Sequence, residues 1–198
     1  MSTTQNPCEP LEWERQFKRL LEKLSNESRI KKNKTMAKYH AVIALGGYTG
    51  LRPKALLGLS WTDVMDKESD FFRESKTLYK RRIKFNDDLK NLLEADFMFL
   101  NGKDPDFPIL HNRNGDQITT QSFNAQFRKY LERFEILTQN PSAVTLRKTY
   151  GYRIWELGGK SIEGLLAVQK ALGHRTLEYT MDYLGVSHKM VEDLQMKM

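Results

Sequence analysis

Arg147, His174 and Tyr183 fall in one stretch, residues 144–183, which reads VTLRKTYGYRIWELGGKSIEGLLAVQKALGHRTLEYTMDY. A guanidinium is a planar fork of donors that matches the oxygens of a phosphate two at a time. An imidazole can add a further hydrogen bond to the same oxygens. A phenol, with a pKa of about 10, is acidic enough to attack with modest help. On a basic chain the three together point to chemistry on a phosphate. Each also has a plainer reading: His174, just past Gly173, as the completion of a helix end, and Tyr183 as a core aromatic beside Met181 and Leu184. Upstream, Arg52 precedes Pro53, which suits the first turn of a helix. A helix entrance favours an anion, although an arginine paired to a nearby carboxylate fits Arg52 equally well in isolation.

The elements that must position these residues follow from periodicity. Residues 9–24 carry Leu11, Phe17, Leu20, Leu21 and Leu24 mostly on one helical stripe. Residues 25–34 are polar and basic and read as a solvated linker, with a phosphate-facing loop as the sharper alternative. A largely apolar helix is expected over residues 35–48 and is broken at Thr49 and Gly50. Leu56, Leu57 and Leu59 give the next short helix its apolar face. Residues 69–85 read as a β-hairpin with a turn around residues 77–79, and Ile83 and Phe85 alternate with Arg82 and Lys84. That basic ribbon is either a charged edge that resists aggregation or a surface leaning on nucleic acid. Asn86, Asp87 and Asp88 cap a helix through Leu93. Ile109 and Leu110 suggest a short strand, residues 112–116 a turn, and Thr120 or Gln121 opens an amphipathic helix to about Phe134. In the opening stretch a helix through Arg147 turns at Gly158 and Gly159. A second runs to Leu172, and a short third carries Tyr183. Ser187 caps a last helix.

Composition bounds the partners. The chain has 198 residues, enough for one domain with a real core. Lys and Arg exceed Asp and Glu by 32 to 25, a net charge of +7, which argues modestly for a polyanionic partner. No apolar run is long enough to span a membrane. The N-terminus lacks the basic start and apolar core of a secretory signal. Cys8 is the only cysteine, so no internal disulfide or cysteine-rich metal site is expected. His40, His111 and His188 show no metal-ligand spacing. These features predict a cytoplasmic protein, without metal or cofactor.

Four motifs, in order, resemble the catalytic domain of the tyrosine recombinase (phage integrase) family over about residues 9–186. TGLRPKALLGLSWTDV is similar to the family's first arginine box and implies a catalytic Arg52. ESKTLYKRRIKF resembles the hairpin with the catalytic lysine, here Lys76. TLRKTYGY resembles the second arginine box and gives Arg147. LGHRTLEYTMDYLGV resembles the terminal box and gives His174 and the nucleophile Tyr183, nine positions later. The resemblance implies an α+β, predominantly helical fold with a small antiparallel β-sheet on one side. It implies a tail over residues 1–8, one catalytic domain over 9–186, and a helix over 187–198 exchanged with a neighbouring protomer. The implied activity is DNA cleavage and rejoining through a 3′-phosphotyrosyl link, chemistry like that of type IB topoisomerases. Double-stranded DNA is the partner, with a homotetramer on DNA, a monomer without it, and a nucleoid location when bound. Lys80, Arg81, Lys148 and Arg175 are candidate DNA contacts.

The resemblance departs at two positions. Val144 stands three before Arg147, where the family usually has histidine, and Ala55 stands three after Arg52, where an acidic residue is common. Both bear on activity, and a DNA-binding relative that no longer cuts is the alternative. The family's N-terminal helical clamp domain has no room in this sequence, which implies either the catalytic portion of a longer protein or a minimal member.

Overall fold

The computed structural model describes residues 8–73 and 80–186, together with Met196. Lys76 lies outside the described residues, as does the helix expected over 187–198 apart from Met196. The chain enters through a turn of π-helix, Trp13–Lys18, that continues directly as α1, Arg19–Ile30. Phe17, Leu20, Leu21 and Leu24 face the core. The linker expected from residue 25 is instead helical to Ile30. Three of the polar side chains there have partners within the fold. Ser28 Oγ donates to the Ser25 carbonyl at 2.7 Å, Arg29 pairs with Asp96 at 2.8 Å, and Glu27 takes both Lys31 and Arg133. Polarity alone does not make a linker when the charged groups are paired within the fold.

Helix α2, Lys34–Thr49, is capped by Asn33, whose Oδ1 accepts from Met36 N–H at 3.0 Å. It is buried on nearly every side, as expected of a helix apolar all round. Gly50 ends it with φ of 60°. A methyl group on Gly50 would lie 2.3 Å from the Tyr150 ring. Gly50→Ala is therefore expected to destabilise the protein by about 1–3 kcal/mol, from the left-handed backbone alone and more from the clash. Urea denaturation measures it, and an unchanged midpoint would refute both the backbone strain and the clash with Tyr150.

Two short helices follow, α3 (Pro53–Leu57) and α4 (Trp61–Val64), then an antiparallel hairpin of β1 (Ser69–Arg73) and β2 (Lys80–Lys84), with Ser69 opposite Lys84. Helix α5, Asp87–Phe99, is capped by Asn86 and outruns the expected end at Leu93. Its inward stripe of Leu89 and Leu93 continues to Asp96, which is fully buried and ion-paired. The strand expected at Ile109 and Leu110 is absent. Isolated bridges join Ser60 to Pro108 and His111 to Gln117 instead, because residues 108–117 pair only at single points. Helix α6, Thr120–Arg133, leads to α7, Ala143–Leu157, α8, Ile162–Leu172, and α9, Leu177–Leu184.

The fold is thus mostly helical with one small antiparallel sheet. Its buried side chains form two clusters. The larger runs from Leu11 to Leu146, and the smaller joins Trp155, Leu165, Val168, Leu172, Leu184 and Val186. Helix α7 belongs to both: Leu146 is in the first and Trp155 in the second. Arg147 sits at that seam.

Candidate active site

Two helix ends meet at the seam, on either side of α7. The C-terminus of α2 delivers Gly50 and, two residues on, Arg52. The C-terminus of α8 delivers Leu172, then Gly173 with φ of 65°, then His174. Between them Arg147, 3% exposed, donates from one terminal nitrogen to the Gly50 carbonyl at 2.6 Å and from the other to the Leu172 carbonyl at 2.7 Å. The orphan carbonyls of a helix end carry partial negative charge, and a guanidinium is their natural complement. One side chain therefore ties the turn before Arg52 to the turn before His174.

Arg52 is the N-cap of α3 with extended backbone, and Pro53 follows at the first helical position. His174 is held from both sides. Its backbone N–H donates to the Gln169 carbonyl at 3.0 Å, and its Nδ1 lies 3.1 Å from Thr180 Oγ1. Its ring meets Tyr179 and Tyr183 edge-on, with centroids 4.8 and 4.9 Å away. Thr180 on α9 was not singled out by sequence. The signal was present, since an inward-facing threonine on a helical stripe needs a partner.

The Tyr183 hydroxyl is buried and makes no hydrogen bond among the described residues. Burial drives its pKa well above the usual phenol range, while the Arg147 and Arg52 charges pull the other way. The Lys148 ammonium lies 5.1 Å from the centre of the Tyr183 ring. Lys148 is 6% exposed, and burial lowers its pKa against the opposing pull of Cys8 and Glu9. These last residues belong to the N-terminal segment, tied down by Leu11 N–H to Thr149 Oγ1 at 2.9 Å. In this arrangement the Tyr183 phenol has three cations, Arg52, Arg147 and Lys148, within electrostatic reach.

Arg52, Arg147, His174 and Tyr183 are thus brought together. Lys80 and Arg175 are exposed, open to a partner. Lys148 and Arg81 are buried, and Arg81 faces inward on β2. Val144 is the second residue of α7, one turn before Arg147, with its N–H 3.3 Å from Ser142 Oγ. Ala55 is half-buried in α3 against the main core.

The sequence model described as the Phage integrase family matches residues 13–190, a span holding all four residues. The chain belongs to that family. Solved structures agree in fold. The XerH site-specific recombinase bound to palindromic difH substrate, a post-cleavage complex, matches with a TM-score of 0.69 at 17% identity, over 98% of this chain and 55% of that one. The XerA recombinase gives 0.66 at 20% identity, over 96% and 66%. The catalytic domain of bacteriophage HP1 integrase gives 0.55 at 22% identity, over 90% and 88%. The chain thus spans about half the length of the XerH recombinase and most of the HP1 catalytic domain. No curated protein sequence matches it. Among the described residues, no helix of this phage integrase family member is long and apolar enough to cross a membrane.

Phenols bear on stability too. Burial raises the pKa of Tyr39 to about 12 and pushes Tyr48, Tyr130, Tyr150 and Tyr183 upward as well. An unfolded phenol titrates near pH 10. The folded state therefore holds these protons longer, and the stability they contribute is complete below about pH 10 and lost as pH rises beyond it. Alkaline titration followed by tyrosinate absorbance and circular dichroism is expected to show late phenols ionising together with loss of helix. All eight tyrosines ionising reversibly near pH 10 with helix intact would refute this.

Proposed function

We propose that this chain is a site-specific DNA recombinase that cleaves and rejoins strands through Tyr183. The observation that carries the reading is the meeting of Arg52, Arg147 and His174 around one phenol at the seam between the two cores. In the proposed reaction the Tyr183 oxygen attacks the scissile phosphorus as it gives up its proton. The bond from phosphorus to the 5′-oxygen breaks, and a 3′-phosphotyrosyl link forms. Lys76 protonates the departing 5′-oxygen as general acid. A 5′-hydroxyl from a second strand then reverses the step, so phosphate bond energy is conserved without an external donor. Arg52 and Arg147 stabilise the charge that grows on the non-bridging oxygens, and His174 adds a hydrogen bond. The Tyr183 hydroxyl is buried without a hydrogen bond among the described residues, and in the proposed reaction the acceptor for its proton comes with the DNA. Lys80 and Arg175 are proposed contacts to the DNA backbone. A homotetramer assembles on duplex DNA from monomers, in the nucleoid.

The test is incubation with a nicked duplex whose 5′ fragment diffuses away after cleavage. A covalent protein–DNA adduct is expected from the wild type and none from Tyr183→Phe. Firm duplex binding without any adduct would sink the enzyme and leave the second reading, a DNA-binding relative that does not cut. Val144 and Ala55 favour that second reading, because they remove a proton carrier and an orienting carboxylate. A positioned acid–base group is worth about 10²–10⁴-fold in rate, so Val144→His is expected to speed adduct formation by about 10²-fold. An unchanged rate would show that the site works without a side chain at 144 that carries a proton.

A further inference from the structure

Position 81 carries an arginine where the hairpin calls for an apolar residue. Along β2 burial alternates, with Lys80, Arg82 and Lys84 exposed and Arg81 and Ile83 buried. A cation facing inward is costly unless its donors are satisfied. Arg81 is 6% exposed, and its two terminal nitrogens donate to the Ala171 carbonyl at 2.5 Å and to the Thr49 carbonyl. These carbonyls adjoin the two that Arg147 takes, Gly50 and Leu172. Two guanidiniums therefore span the same gap on adjacent rungs, joining residues 49–50 to residues 171–172. The Arg81 guanidinium also lies 5.7 Å from the centre of the Tyr150 ring, and that ring packs directly on Gly50.

We propose that Arg81 is a positioning residue of the phosphate site, acting through the two turns that present Arg52 and His174. This rests on the function proposed above. The second rung has a physical purpose. Arg147 is asked to hold two carbonyls and to face a phosphate, and a guanidinium has five N–H donors for both tasks. When an anion draws on Arg147, its carbonyl contacts weaken, and the spacing between the two turns would drift if nothing else spanned it. Arg81 spans the same gap one residue back. It can hold the turns while Arg147 turns to the phosphate. Lysine could not replace it, since a single ammonium lacks the fork that reaches two carbonyls in fixed directions.

The experiment uses the whole chain with Arg81→Lys and Arg81→Ala. Three quantities are read: affinity for the nicked duplex as a function of salt, single-turnover adduct formation, and amide hydrogen exchange at Leu51, Arg52, Gly173 and His174. Duplex affinity and its salt slope are expected to hold in both variants. Adduct formation should fall by about 10²-fold, the scale of a 1 Å misplacement of reacting groups. Exchange at the four amides should speed up in both variants while exchange in the middle of α5 stays unchanged. Added guanidinium chloride, at concentrations that do not unfold the protein, should restore much of the rate to Arg81→Ala, where sodium chloride does not. Unchanged adduct formation and exchange in Arg81→Lys would overturn the proposal and make Arg81 a plain anchor of the hairpin. A salt slope lower by about one, with exchange unaltered, would overturn it in favour of a phosphate contact. If Arg81→Ala does not fold, Arg81→Lys carries the comparison. A wild type that forms no adduct would defeat the proposed function, and the exchange data would still decide whether Arg81 holds the two turns.

Discussion

Tyr183→Phe is expected to abolish the covalent adduct and, in the same protein, to raise stability by about 1 kcal/mol. The two effects have one cause. The hydroxyl is the only group removed; its oxygen is the attacking atom of the proposed reaction, and it is a buried polar group without a hydrogen bond among the described residues. Leaving such a group unsatisfied costs the folded state about 1–3 kcal/mol, which phenylalanine does not incur. For a chain of this length 1 kcal/mol is a rise in Tm of about 2–4 °C. The ring contacts survive the change, because the edge-on packing against His174 and the Lys148 contact involve the ring and not the oxygen. Tyr179→Phe is the control. Tyr179 lies beside Tyr183 on α9 but is 55% exposed, so both adduct and Tm should stay at wild-type values. The pair of measurements is thermal denaturation without DNA and adduct formation with it. A fall in Tm for Tyr183→Phe would show that the hydroxyl is bonded in solution. The free protein would then already hold an acceptor for the proton, against the idea that DNA must bring it.

The site was legible where one residue's neighbours in sequence are also its causes. Pro53 marks the helix entrance that places Arg52, and Gly173 marks the exit that places His174. The nine positions from His174 to Tyr183 are a turn and a short helix that bring the two rings into contact. What could not be read were long-range polar contacts. Residues 25–30 look like a linker because their polar groups find partners on α5 and α6, far along the chain. Lys148 follows Arg147 and invites reading as a phosphate contact, yet helix α7 rotates it under the N-terminal segment and against Tyr183. Arg81 was partly legible. Ile83 and Phe85 face inward, and period two carries that face back to 81. The charge of the side chain argued for the surface and outweighed the period. The carbonyls that justify its burial lie on two other helices and leave no mark near residue 81.

Asp96 is the extreme case, and Asp96→Ala is expected to cost about 3–5 kcal/mol. It lies beyond Leu93, the expected end of the helix, and its side chain is fully buried. One oxygen accepts from Arg29 on α1 at 2.8 Å, and the other lies 2.5 Å from Nδ1 of His40 on α2. A single carboxylate thus joins α1, α2 and α5. Truncation strands the partners unequally. Arg29 is 30% exposed along its side chain and can turn toward water. His40 is 1% exposed and cannot. Its Nε2 is already without a hydrogen bond among the described residues, so losing Asp96 would leave the whole imidazole buried and unpaired. Asp96→Asn keeps an acceptor and fills the same volume, so it should cost less than alanine. Urea denaturation measures both, with the midpoint falling and the slope unchanged if the folded state keeps its shape. Activity separates this network from the site. Asp96 lies in the body that carries α2, and α2 ends in the Gly50 carbonyl that Arg147 grips. At temperatures where Asp96→Ala is folded, its adduct formation per folded molecule is expected to match the wild type. A loss of rate well beyond the folded fraction would mean that α2 is not rigid between His40 and Gly50, and that packing around Asp96 sets the position of Arg52.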